Sequence, residues 1–102
     1  MMVGRDLARG RGSVKVRYSR GRRVLWRQTS DRVLLLPADD GALVSLTGTG
    51  LLLWELLADP MELSEIADFM SATYGVTTDV VESDLMPVLD QLGERGLIEL
   101  AR

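Results

Sequence analysis

Few side chains in this sequence could carry a reaction. It contains neither cysteine nor histidine. That removes thiolate nucleophiles, imidazole bases, disulfides and the usual zinc and haem ligands together. Lys15 is the one lysine, and it lies in an arginine-rich N-terminal stretch. Carboxylates are plentiful, but Asp39-Asp40 precedes Gly41, which is turn chemistry, while Glu82 and Asp90 fall on the solvated side of a helical pattern. Carboxylate pairs catalyse when burial or neighbours drive their pKa values apart, and nothing in the sequence provides such a setting. Gly48-Thr49-Gly50 lacks the following lysine of a phosphate-binding loop. The inventory argues against an enzyme and implies no metal and no cofactor. Binding is the chemistry that remains.

The frame for that binding is small. A chain of 102 residues, 46% of them hydrophobic, supports one domain with one modest core. No apolar run approaches the roughly 18 residues of a membrane span, and the basic start has no apolar stretch behind it to make a secretory signal. A soluble, cytoplasmic protein is expected. The net charge of −3 conceals a split. Residues 1–32 carry +8 and residues 33–102 carry −11, so a basic arm is attached to an acidic body.

The elements follow from spacing. Residues 1–21 read as a basic N-terminal arm, with glycines alternating with arginines at first. Val14, Val16 and Tyr18 then alternate with polar residues as an extra strand would. Three antiparallel strands are predicted at about 23–28, 32–37 and 42–46, separated by Thr29-Ser30-Asp31 and by Asp39-Asp40-Gly41; Pro37 closes the second. A helix over 51–57 is apolar nearly all round and should be buried, with the Thr47 or Thr49 hydroxyl capping it. Leu63, Ile66, Ala67, Met70 and Tyr74 make one stripe of a second helix ending at Gly75. Thr77 or Thr78 opens a third, with the stripe Val81, Leu85, Val88, Leu89 and Leu92 and a stop at Gly96. Pro87 inside it should bend the axis. Three strands then three helices describe an α+β, winged helix-turn-helix-like domain, occupying residues 22–102.

These residues carry a resemblance. Val24-Leu25-Trp26-Arg27, residues 32–37, Gly41 to Thr47 and Thr49 to Leu57 stand in an order similar to that of the PqqD-like family, the RiPP precursor-peptide recognition elements. So do Glu65-Ile66-Ala67, Tyr74-Gly75-Val76, Asp84, Leu92 and Gly96-Leu97-Ile98. The resemblance covers about residues 22–100. It implies a winged helix-turn-helix fold without enzymatic activity. The bound partner it implies is the leader segment of a ribosomally made precursor peptide, pairing along the third strand and lying against the third helix. It also implies a maturation enzyme, such as a radical SAM enzyme or a leader peptidase, to which the leader is presented. The long basic arm and Pro87 depart from the family pattern.

The residues themselves allow that mode. If the strand order is sequential, residues 42–46 end the sheet, and an edge strand offers unpaired N–H and C=O groups that an extended peptide can use. The peptide-binding candidates are therefore Ala42, Leu43, Val44, Ser45 and Leu46, facing Asp84, Leu85, Val88 and Leu89 of the third helix, with Met86 at the margin. For any one apolar residue in this set, ordinary core packing is the simpler explanation; the groove rests on the set. Roughly four or five backbone bonds at about 0.5–1.5 kcal/mol each, plus two buried anchors, set against the cost of ordering a peptide, give micromolar to submicromolar binding.

Two rivals share the fold. One is a DNA-binding winged helix using the basic arm, but its recognition helix would carry Asp79, Glu82, Asp84, Asp90 and Glu94 against Arg95, which a phosphate groove repels. The other is a general protein–protein adaptor, which the sequence does not separate from leader binding. The alternating strand at 14–18 adds a further expectation: pairing with a sheet edge of its own or a neighbouring subunit, giving a homodimer or a self-blocked groove. With no histidine to titrate, peptide affinity should stay nearly flat between pH 6 and pH 8. Calorimetric titrations across that window check this, and a steep change there would contradict the proposed groove.

Overall fold

The computed structural model describes residues 16–38 and 41–101. The tail at 1–15 and the turn at Asp39-Asp40 lie outside the described residues. In chain order the elements are β1 Arg17–Arg20, β2 Leu25–Gln28, β3 Arg32–Leu36, β4 Val44–Thr47, α1 Gly48–Leu56, β5 Met61–Glu62, α2 Leu63–Tyr74, α3 Thr78–Glu94 and β6 Ile98–Ala101. They form an α+β fold with two antiparallel three-stranded sheets.

The predicted meander is present, in the order β2-β3-β4. Its register follows from alternation. Val33 and Leu35 are fully buried on one face of β3, while Arg32, Leu34 and Leu36 turn to the other. Thr29 closes the hairpin, its N–H donating to the Arg32 carbonyl at 2.8 Å and its hydroxyl to Asp31 at 3.1 Å.

The second sheet, in the order β5-β1-β6, is absent from the sequence prediction. Its strands are short and come from three distant parts of the chain, so no hairpin signal marks them. β1 is its central strand and takes the last residues of the basic arm into the body: Arg17 pairs with Glu62 and Ala101, and Tyr18, buried, pairs with Met61 and Leu100. Of the strand expected at 14–18, residues 14–15 lie outside the described residues; Arg17 and Tyr18, as part of β1, pair within their own chain, on the sheet that does not contain β4. Gly21 follows at a crowded crossing. Its N–H donates to the Leu97 carbonyl at 2.9 Å, and a Cβ there would collide with the Gly96 carbonyl.

The helices lie close to their predicted bounds. In α1, Leu53 and Trp54 are buried, and Leu51, Leu52 and Leu56 are half-buried, as an all-round apolar helix requires. The expected hydroxyl cap is not made: Thr47 is the N-cap residue, but its side chain bonds no backbone N–H. α2 begins with a capping box, Glu62 and Glu65 each bonding the other's backbone, and ends where Gly75 turns left-handed at φ 71°. α3 starts on Thr77, which accepts from the Val80 N–H at 3.4 Å, and runs through the exposed Pro87. Among the described residues, no helix is long and apolar enough to cross a membrane.

One core unites both sheets and all three helices, with Val33, Leu35, Leu53, Trp54, Leu57, Ile66, Met70, Leu89 and Leu97 almost fully enclosed. Arg20 joins the sheets directly. It leaves β1, places its guanidinium carbon 4.8 Å from the ring centroids of both Trp26 on β2 and Trp54 on α1, and donates Nε to the Trp54 carbonyl at 2.9 Å. The two indoles meet edge-on at 5.8 Å. Burial lowers the Arg20 pKa and Glu55 opposes that, and a guanidinium remains charged throughout the accessible pH range. Arg20→Ala should therefore cost about 1–2 kcal/mol of stability, from two cation–π contacts and one hydrogen bond. Chemical denaturation followed by tryptophan fluorescence checks this, and an unchanged midpoint would contradict it.

Candidate functional site

Among the described residues, β4 has a neighbour on one side only. Which of its polar groups face the open side follows from the ladder. Thr29 N–H bonds the Arg32 carbonyl, so in the β2–β3 register the hydrogen-bonded pairs are 29 with 32, 27 with 34 and 25 with 36. Residues 33 and 35 of β3 then bond toward β4, in the pairs Val33–Leu46 and Leu35–Val44. Val44 and Leu46 spend their N–H and C=O groups on β3. Ser45 and Thr47 aim theirs at the open edge, and Leu43 continues that phase. Side chains alternate in step: Val44 and Leu46 pack half-buried against the core, while Leu43 and Ser45 stand exposed on the opposite face.

The same phase explains where the strand starts. The next bonded pair would be Pro37 with Ala42, and Pro37 has no N–H to give. The strand accordingly begins at Val44 and runs to Thr47, where the sequence suggested 42–46. The Ala42 carbonyl instead accepts from Arg95 Nη2 at 2.6 Å. Arg95 closes the C-terminal end of α3.

Near the far end of β4, an apolar cavity of about 200 Å³ lies between the start of α1 and the α2–α3 corner. It is lined by Thr49, Met70, Tyr74, Val76, Val80, Val81, Asp84 and Leu85. Ala42 therefore sits by the end of α3, and the residues after β4 sit by its first half. The chain on either side of β4 thus meets opposite ends of α3. The lengths agree: 42–47 spans about 17 Å as strand and 84–95 about 16 Å as helix.

On α3 the sequence candidates separate. Leu85 and Leu89 are 4% and 1% exposed, so both are core, and Leu85 also touches the cavity. Asp84 and Val88 are exposed and share one helical stripe with Gln91 and Arg95, at spacings of four, three and four. Met86 is exposed on the opposite flank of that core stripe. Thr47, Val80, Gln91 and Arg95 are not among the peptide-binding residues that the sequence proposed. Arg95 carried a signal, as the lone cation of an acidic helix, and Pro37 announced a missing donor.

A second hollow, about 360 Å³, sits at the α3 terminus between Arg23, Arg95 and Glu99. Glu99 is committed there, accepting from the Arg22 backbone N–H at 2.7 Å and meeting the Arg22 guanidinium at 3.2 Å. The described residues hold no cluster of three metal-ligating side chains. What the site offers is a strip of backbone donors and acceptors beside a half-apolar helix wall.

Comparison with known proteins fits this geometry. The family described as Coenzyme PQQ synthesis protein D (PqqD) matches residues 32–98. The chain belongs to the PqqD family. The match begins at β3 and takes in β4 and all three helices. Among solved structures, a similar one is described as TbiB1 in complex with the TbiA(beta) leader peptide. It is 31% identical and has a TM-score of 0.72, and the alignment covers 79% of this chain and 94% of that one. No curated protein matches the chain at a significant level.

The Glu99 contacts set an acid limit for this PqqD-family chain. Bonding by the Arg22 N–H, aided by its charge, holds the Glu99 carboxyl below its ordinary 4.5. A depressed acid contributes stability that is fully present above its unfolded value and is lost as pH falls through the folded one. Stability should therefore fall on acidification below about pH 4.5, and Glu99→Gln should lower stability at pH 7 and reduce that slope, the two proteins converging in acid. Thermal melts from pH 7 down to pH 3 check this; parallel curves for the two proteins would contradict it.

Proposed function

We propose that this protein captures the leader segment of a ribosomally synthesised precursor peptide by strand addition at β4 and presents it to a modifying enzyme, doing no chemistry itself. The observation that carries the reading is the unpaired edge of β4, with Ser45 and Thr47 directing their backbone groups outward beside α3. Family membership and the leader-bound state of the similar TbiB1 structure support it.

An extended guest antiparallel to β4 would bond the Ser45 and Thr47 backbones, with Leu43 as the next rung. Guest residues opposite Val44 and Leu46 would turn their side chains toward the wall made by Asp84, Val88 and Gln91. The cavity beside Thr49 would take one apolar side chain. Ala42, Leu43, Val44, Ser45 and Leu46 then form the edge, and Leu85 and Leu89 support the wall from the core. The partner served is a maturation enzyme such as a radical SAM enzyme or a leader peptidase, in RiPP or pyrroloquinoline-quinone-type biosynthesis in the cytoplasm. Because β1 pairs within its own chain, one chain per leader is the proposed stoichiometry, and a homodimer exchanged through the arm is not required.

A proline separates this edge from the ladder behind it. Ser45→Pro removes an outward N–H and leaves the β3 bonds intact, so the fold should persist while leader affinity falls more than about tenfold. Leu46→Pro removes a β3 bond and should unfold the sheet. Circular dichroism, with titration of the TbiA(beta) leader peptide as probe, checks both. A folded Ser45→Pro protein that binds as tightly as the unaltered one would overturn strand addition at β4.

A further inference from the structure

The sheet has a hole in its ladder that the helix fills. The β3–β4 pairing stops at Leu35–Val44; carried two residues further, its register would set Pro37 opposite Ala42 in a hydrogen-bonded pair, where a residue at 37 would donate its N–H to the Ala42 carbonyl. Proline cannot, and the Ala42 carbonyl is served by Arg95 Nη2 at 2.6 Å, from 53 residues away. We infer that Arg95 is a positioning residue for the guest edge: its guanidinium substitutes for the missing Pro37 amide and ties the beginning of β4 to the end of α3.

Two consequences follow from the placement. The start of β4 is held by a contact from the helix rather than by its own sheet, so the two walls of the groove are fixed relative to each other at this end. At the other end β4 runs directly into α1, through Thr47. The edge groups at Leu43 and Ser45 are thereby kept extended before any guest arrives, which lowers the ordering cost of strand addition. Arg95 is suited to the task. It stands at the helix terminus, where a cation is favoured, and its planar guanidinium has donors to spare. The inference rests on the proposed leader site for its function, but the structural link stands without any peptide.

The test uses the full chain as wild type, Arg95→Ala, Arg95→Lys, Pro37→Ala and the double variant Arg95→Ala with Pro37→Ala. The first readout needs no peptide: hydrogen exchange at the Val44 amide, which bonds the Leu35 carbonyl one rung from the contact. Arg95→Ala should speed that exchange about two- to tenfold, the worth of one hydrogen bond, with Arg95→Lys in between. In the double variant the restored amide at 37 should donate to Ala42 and return exchange to within about twofold of Pro37→Ala alone. The second readout is affinity for the TbiA(beta) leader peptide as probe, which should fall about two- to tenfold in Arg95→Ala and recover in the double variant. Unchanged Val44 exchange in Arg95→Ala, or no recovery in the double variant, overturns the inference; should Arg95→Ala fail to fold, Arg95→Lys against wild type decides the same point. If wild type does not bind this probe, the proposed function fails, and the Val44 exchange series still decides the role of Arg95.

Discussion

A strand with one paired edge is the constraint on which this structure turns. Val44 and Leu46 are doubly committed, their backbones to β3 and their side chains to the core. That commitment leaves Ser45 and Thr47 with backbone groups directed at solvent. Unpaired edges are a liability that proteins commonly blunt with charge, proline or cover. Here the edge carries Val, Ser, Leu and Thr, with none of those devices in the strand itself. What protects it is brevity, four residues, and the neighbouring flank of α3, whose acidic residues discourage self-association.

The rest of the molecule serves to hold that edge still. α1 follows β4 without a loop and drives Leu53 and Trp54 into the core. α2 and α3 pack on the same core, and β1, β5 and β6 join three distant parts of the chain in one sheet. Arg20 crosses between the sheets and lies against both tryptophans, so the second sheet is joined to the first through a cation as well as through apolar contact. The same economy appears at Arg95, where one side chain supplies a bond that the local sequence cannot.

Much of this was legible in the residues, and what was not has physical reasons. The meander, the three helices and the edge position of the last strand follow from period-2 and period-3.6 patterns and from Pro37, Gly75 and Gly96, all local signals. The second sheet left one trace, the alternation at 14–18 that overlaps β1; Met61–Glu62 and Ile98–Ala101 are too short to show periodicity, and the three strands pair across distant parts of the chain. On α3, the apolar stripe identified the core residues Leu85 and Leu89, whereas the wall proposed for the leader is the exposed neighbouring stripe of Asp84, Val88, Gln91 and Arg95. Hydrophobic pattern finds what is buried, and a peptide wall is by nature half exposed. Thr47 was read as a cap; its part in the edge depends on ladder phase, which needs a known register.

Residue-by-residue hydrogen exchange of β4 with and without the leader peptide tests the central claim most directly. In the free protein Val44 and Leu46 amides should exchange slowly and Ser45 and Thr47 rapidly, and addition of leader should slow Ser45 and Thr47 alone within the strand. Slow exchange at Ser45 and Thr47 before any peptide is added, or leader protection that appears on β2 in place of β4, would contradict it.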